Sequence, residues 1–227
     1  MLNLEFAFAS DRPPRLLCLG AHADDIEIGC GGTILELLQR HPGTCVRWVV
    51  FAAADARRKE ADQCAQRFLE RAGEKSVVLR EYRDGFFPYV GADIKGFFET
   101  MKGEFAPDLV FTHQRNDLHQ DHRLISELTW NTYRDHLILE YEIPKFDGDL
   151  GTPNAFAPLA PSTCEEKIAG ILEVYESQRG RHWFSEETFR STLRLRGIEA
   201  RSPSGYAEAF YARKMVFFGR GGDRCLK

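Results

Sequence analysis

A histidine and two adjacent carboxylates, His22, Asp24 and Asp25, stand where an apolar run ends and a glycine-rich turn is expected to begin, in His22-Ala-Asp-Asp-Ile-Glu-Ile-Gly-Cys-Gly-Gly-Thr33. Far downstream, Asn116-Asp-Leu-His-Gln-Asp-His-Arg123 carries His119, Asp121 and His122. Imidazole and carboxylate are the donors of a catalytic zinc site, which takes three protein ligands and leaves a position for water. His22, Asp25 and His122 would supply such a set. Asp24 and His119 would then remain for acid–base work on that water. Neither Gly-x-Ser-x-Gly nor a Walker sequence occurs, so no second catalytic set is visible.

The elements around both clusters must bring them together. Leu16-Leu-Cys-Leu19 reads as a buried strand, and Thr33-Ile-Leu-Glu-Leu-Leu38 has the apolar density of a helix packing back on it. Further strand-like runs cover Arg15–Gly20, Cys45–Ala53, Ser76–Tyr82, Asp108–His113 and Leu137–Ile143. Helical runs cover Gly32–Arg40, Arg57–Ala72, Asp93–Glu104 and His119–Arg134. This alternation predicts the α/β class: a single Rossmann-like domain over residues 1–227, with a mostly parallel sheet and helices on both faces. Each cluster lies between a strand and a helix, so both fall at the carboxyl ends of the strands, where such sheets bind ligands. His119 and His122, three apart, share one face if a helix begins near them.

Beyond Pro144 the composition changes. Closely spaced glycines and prolines run to Pro161, while Phe146, Phe156 and Leu159 argue for order, so the segment reads as a substrate-covering loop. Helices follow over Cys164–Gln178 and Glu186–Arg196, then a late strand over Phe210–Phe218 and a frayed tail from Gly219.

With 30 basic and 34 acidic side chains the formal charge is −4, and the charges are mixed, so a small polar substrate fits better than nucleic acid. No signal peptide and no apolar window of membrane-spanning length is found. The six cysteines are scattered, and Cys18, Cys30, Cys45 and Cys64 sit in apolar contexts that suit reduced thiols and a cytoplasmic protein. The sequence allows a homo-oligomer without specifying one.

The two clusters resemble the paired motifs of the PIG-L/LmbE family of zinc-dependent N-deacetylases: an early His-Pro-Asp-Asp-Glu run leading into Gly-Cys-Gly-Gly-Thr, and a His-x-Asp-His near mid-chain. The similarity extends to the Arg57-x-x-Glu60 helix start, to Lys167 with Ser177-Gln178, and to Tyr206-Ala-Glu-Ala-Phe210. The resemblance implies zinc (or another divalent ion) on His22, Asp25 and His122, with Asp24 as general base. It makes His119 the oxyanion-stabilising histidine, with Asp121 as its orienting carboxylate. Arg57 becomes the substrate-binding arginine, with Arg58 nearly as well placed. Ala23 departs from the family's proline, a change that loosens the turn without removing a catalytic group.

Blander readings stand beside these. Asp24 and Asp25 could cap a helix, and His119 and His122 could be surface residues. Arg57 and Arg58 could be a solvated first turn. Cys30 is read as packing, and Gly29, Gly31 and Gly32 as sites of close backbone approach rather than phosphate binding. The expected reaction is hydrolysis of an N-acetyl amide on a small molecule, an N-acetylated sugar or glycoside first and a non-sugar amide such as an antibiotic intermediate second. Asp24 would deprotonate the attacking water, and protonated His119 would hold the oxyanion. The loop Tyr141–Pro161, with Phe146, Asp147, Asp149 and Asn154, would set the substrate. The rivals are a Rossmann-like methyltransferase, for which Asp55 is loosely placed, and a non-catalytic carbohydrate- or metal-binding protein.

Overall fold

The computed structural model describes residues 3–216. Strands β1 (Arg15–His22), β2 (Cys45–Ala52), β3 (Glu74–Leu79), β4 (Leu109–His113), β5 (Leu137–Tyr141), β6 (Ala155–Pro158) and β7 (Ala207–Ala212) form one sheet in the order β3-β2-β1-β4-β5-β7-β6. The first five are mutually parallel, whereas β7 runs antiparallel to both β5 and β6. The helices are α1 (Asp25–Arg40), α2 (Asp55–Phe68), α3 (Gly91–Glu104), α4 (Gln120–Thr132), α5 (Pro161–Val174) and α6 (Glu186–Glu199).

Alternation along β1 divides the core. Leu16 and Cys18 face one layer, with Trp48 of β2, Ile34 and Leu38 of α1, Phe68 of α2, Ile171 of α5 and Leu193 of α6. Leu17, Leu19 and Ala21 face the other, with Phe98 of α3 and Ile125 of α4. Helices therefore cover both faces, as the pattern predicts, because strands buried on two sides read as continuous apolar runs.

Strand order reverses between β1 and β4. After β1 the chain moves to β2 on one side, and β4 lies on the other, which opens a crevice at their carboxyl ends. His22 closes β1 and His113 closes β4, so this crevice receives the first cluster directly.

Several local expectations are corrected. The glycine-rich stretch is not a turn, because α1 begins at Asp25 and Gly29, Gly31 and Gly32 lie inside it. Their small size serves packing: a Cβ on Gly29 would sit 2.1 Å from the Tyr141 ring, and one on Gly31 2.5 Å from Phe68. The late strand is Ala207–Ala212, earlier than Phe210–Phe218, whose last two residues and the tail from Gly219 lie outside the described residues. The segment after Pro144 contains β6, which pairs antiparallel with β7 at the end of the strand order. Among the described residues, no helix is long and apolar enough to cross a membrane.

Candidate active site

The turn between β1 and α1 presents the first cluster. Asp24 is the N-cap of α1 with φ 98°, a left-handed conformation that aspartate tolerates better than most residues. Its side chain does not cap the helix. Instead Oδ1 lies 3.0 Å from Arg57 Nη2, and Oδ2, although buried, has no partner. A strained, buried residue with an unused carboxylate oxygen is the signature of a site rather than of a cap.

His22 Nδ1, Asp25 Oδ2 and His122 Nε2 converge from β1, α1 and α4. They stand 3.1 Å (His22 to His122), 3.4 Å (His22 to Asp25) and 3.6 Å (His122 to Asp25) apart. Donors about 2.0–2.1 Å from a tetrahedral ion lie roughly 3.3 Å from one another, so this triangle fits a zinc-sized cation. Burial works against a charged His22, yet the carboxylates of Asp121, Asp25 and Asp84 outweigh it and hold the ring's pKa well above its ordinary range, so an ion held at Nδ1 would displace a proton from it. Burial, then the neighbouring His113, pushes His122 down to about 3, which leaves it neutral as a ligand must be. Asp25 is held well below the usual carboxylate range because the adjacent His122 and His113 outweigh its burial. Burial lifts Asp24 to about 7, with Arg57 opposing and Asp25 adding to the rise. A carboxylate poised there can both take and return a proton.

The second cluster opens α4. His119 is the N-cap, and its Nδ1 accepts the backbone N–H of Asp121 at 3.2 Å. That bond fixes Nδ1 as the acceptor, so the neutral ring carries its proton on Nε2. Burial and the nearby His22 also lower the His119 pKa, a direction that favours the neutral ring over the protonated one expected from the sequence. The rings of His119 and His122 stack with centroids 4.6 Å apart, and His119 meets His22 edge-on at 4.8 Å.

Asp121 does a different job from the one expected. Its carboxylate accepts the N–H groups of Gly85 (2.7 Å) and Phe87 (3.1 Å) and meets His22 Nε2 at 3.1 Å. It therefore orients His22, and only its backbone reaches His119. Arg57 lies in the site, bonded to Ala23 O as well as to Asp24. Arg58 turns away to Glu81 and the Leu79 carbonyl at the edge strand β3.

Four functional-site neighbours escaped the sequence reading. Asp117 accepts from His122 Nδ1 at 3.0 Å, an arrangement that orients a histidine ligand. Lys145 meets the same Asp117 oxygen at 2.9 Å. His113, wholly buried, lies 3.2 Å from Asp25 Oδ2, but its Nε2 already accepts the Ala21 N–H, so it supports the set rather than joining it. Asp84, 72 % exposed, reaches within 3.1 Å of His22 Nε2. Asp117 and His113 carry a readable signal, being polar residues at the end of a strand in the same crevice; Asp84 and Lys145 depend on loop paths. Of the residues assigned to the substrate-setting loop, Asp149 is buried against Lys145, and Asn154 is bonded to Ala212. Phe146 is exposed and packs on His182.

Comparison with known proteins follows from this geometry. N,N'-diacetylchitobiose deacetylase from Pyrococcus horikoshii shares 23 % identity over 88 % of this chain and 84 % of its own, with a TM-score of 0.64. The zinc-inhibited form of teicoplanin deacetylase Orf2 shares 18 % over 87 % and 97 %, with a TM-score of 0.67. GalB, the 4-carboxy-2-hydroxymuconate hydratase from Pseudomonas putida KT2440, shares 17 % over 91 % and 99 %, with a TM-score of 0.65. At these identities the likeness establishes the fold, and the presence of a hydratase leaves the reaction to be argued from the site. No curated protein matches the chain in sequence. The family model described as PIG-L, GlcNAc-PI de-N-acetylase, matches residues 17–133, which is just over half of the chain and takes in both clusters. The chain belongs to the PIG-L family.

Proposed function

We propose that this protein is a zinc-dependent N-deacetylase that hydrolyses the N-acetyl amide of a small sugar or glycoside. The observation that carries the reading is the donor triangle of His22, Asp25 and His122 beside the unpartnered, buried carboxylate oxygen of Asp24. His22, Asp25 and His122 would hold the ion. A zinc ion held there would supply Lewis acidity, polarising an amide carbonyl and easing the deprotonation of water near neutral pH.

The chain's own groups perform the proton transfers. Asp24, held by Arg57 through Oδ1, takes a proton from the attacking water as its oxygen bonds the acetyl carbon. His119 donates its Nε2 proton as a hydrogen bond to the developing oxyanion, a contribution often worth several kcal/mol. As the C–N bond breaks, Asp24 returns the proton to the leaving nitrogen, giving acetate and a free amine. His119 keeps its proton throughout, in line with its lowered pKa. Arg57 positions the base and, 30 % exposed, also presents itself to the substrate. Asp121 and Asp117 hold the two ligating histidines in orientation. The free, mostly buried cysteines among the described residues support a reducing, cytoplasmic setting.

A screen for acetate release from N-acetylated sugar nucleotides and glycosides, with and without zinc, tests the reading. Zinc-dependent release is expected with at least one N-acetyl sugar. Absence of release from every N-acetylated substrate by stoichiometrically zinc-loaded protein refutes it. His122→Ala is expected to lose stoichiometric zinc, and unchanged metal content would remove it from the ligand set.

A further inference from the structure

Lys145 sits just beyond β5, nearly shut from solvent at 11 %, between two buried carboxylates. Its Nζ lies 2.9 Å from Asp117 Oδ2 and 2.6 and 2.5 Å from the two oxygens of Asp149. Asp117 Oδ2 is the atom to which His122 Nδ1 donates, and Asp117 Oδ1 accepts the backbone N–H of His119 at 2.8 Å. Asp149 in turn accepts the Leu118 N–H at 2.7 Å, and its carbonyl accepts the Gln114 amide at 3.1 Å. One ammonium thus joins the 144–154 segment to the loop that leads into α4, the helix whose start carries His119 and His122.

Stability alone is a poor reason for this arrangement, since buried ion pairs are often no better than apolar replacements of equal volume. Removing the ammonium leaves the carboxylates of Asp117 and Asp149 facing each other in a water-poor environment. Their repulsion pushes the 144–154 segment outward and turns Asp117 away from His122. His122 then loses the acceptor that keeps its proton on Nδ1 and leaves Nε2 facing Asp25 and His22.

We propose that Lys145 is a positioning residue that couples the seating of the 144–154 segment to the orientation of His122 through Asp117. The inference rests on the reading above in which His122 Nε2 holds the ion. It assigns two jobs to Lys145 and one to Asp149, which grips the segment but does not touch His122.

The test uses the full chain and three readouts: zinc affinity by competition with a chromophoric chelator, the His122 tautomer by 15N NMR of metal-free protein, and hydrogen exchange of the 144–154 amides. Lys145→Met is expected to weaken zinc binding about 10–100-fold, the usual effect of losing a partner behind a ligand. It should also abolish the Nδ1–H signature of His122 and speed exchange across 144–154. Asp149→Asn should speed exchange while keeping zinc affinity within threefold of the parent, and Lys145→Arg should preserve all three readouts. If Lys145→Met does not fold, Lys145→Gln, which also removes the charge but keeps a polar end, takes its place and should show the same loss of zinc affinity and tautomer. A folded Lys145→Met or Lys145→Gln variant with parental zinc affinity and an unchanged tautomer overturns the proposal. Failure of the unsubstituted protein to bind zinc would instead strike the functional reading, and the tautomer and exchange results would still decide the coupling.

Discussion

Replacing Glu27 by glutamine should stabilise the metal-free protein, and by an amount that grows with pH. Glu27 lies in the first turn of α1 and is 1 % exposed; Oε1 accepts the Tyr175 hydroxyl at 2.7 Å, and the Cys64 thiol lies beside the carboxylate. Burial raises its pKa from 4.5 to about 7, only partly opposed by the Tyr175 bond. Between those values the folded state holds a proton that the unfolded state has released, so stability falls as pH rises through this window. Each unit is worth about 1.4 kcal/mol, so ionised Glu27 costs the fold on the order of 3 kcal/mol above pH 7. Below pH 4 the carboxyl is neutral in both states and this cost vanishes. Glutamine keeps an acceptor for Tyr175 and cannot ionise. Urea unfolding of chelator-treated parent and Glu27→Gln proteins at pH 5 and pH 8.5 measures the difference directly. The variant's advantage should grow by roughly 2–3 kcal/mol between the two pH values. An advantage that is constant within about 1 kcal/mol, or that shrinks as pH rises, refutes the argument that this carboxylate is desolvated.

Asp24→Asn keeps a residue suited to φ 98° and an oxygen for Arg57, so it should fold and bind zinc normally while kcat falls about 10²–10⁴-fold; full acetate release would remove Asp24 as the base. Gly29→Ala should lower stability by about 1–3 kcal/mol in chemical denaturation, because the added methyl meets the Tyr141 ring and Tyr141 is anchored by its hydroxyl to the Leu19 carbonyl at 2.6 Å. A neutral or stabilising result would show that the ring can withdraw. Chelator treatment should abolish acetate release and zinc should restore it. Zinc at a hundred times its dissociation constant should stabilise the fold by about 2.7 kcal/mol, and an unfolding midpoint indifferent to zinc contradicts a site made of these three residues.

The apolar runs and their spacing were enough to define the α/β class, because strands buried on both faces must be continuously apolar and helices between them must return the chain. The same reading placed His22, Asp24 and Asp25 at a strand end, where a backbone that stops pairing frees its side chains for a ligand. Boundaries were less legible: the glycines of α1 look like a turn because their purpose, accepting Tyr141 and Phe68 against the helix, is set by residues distant in sequence.

Only the tertiary structure decided which nitrogen and which oxygen face which partner. Asp121 follows His119 by two positions, yet its carboxylate serves His22 and the backbone of Gly85 and Phe87, since the first turn of α4 points it toward β1. The tautomer of His119 comes from a single backbone N–H on Nδ1, its lowered pKa from burial and His22, and the role of Asp117 from its bond to His122. Residue types and order thus determined that a cation-binding hydrolytic site could be built. Protonation, tautomer and support depend on distances between side chains a hundred residues apart, such as His22 and His122, and no local pattern encodes a distance.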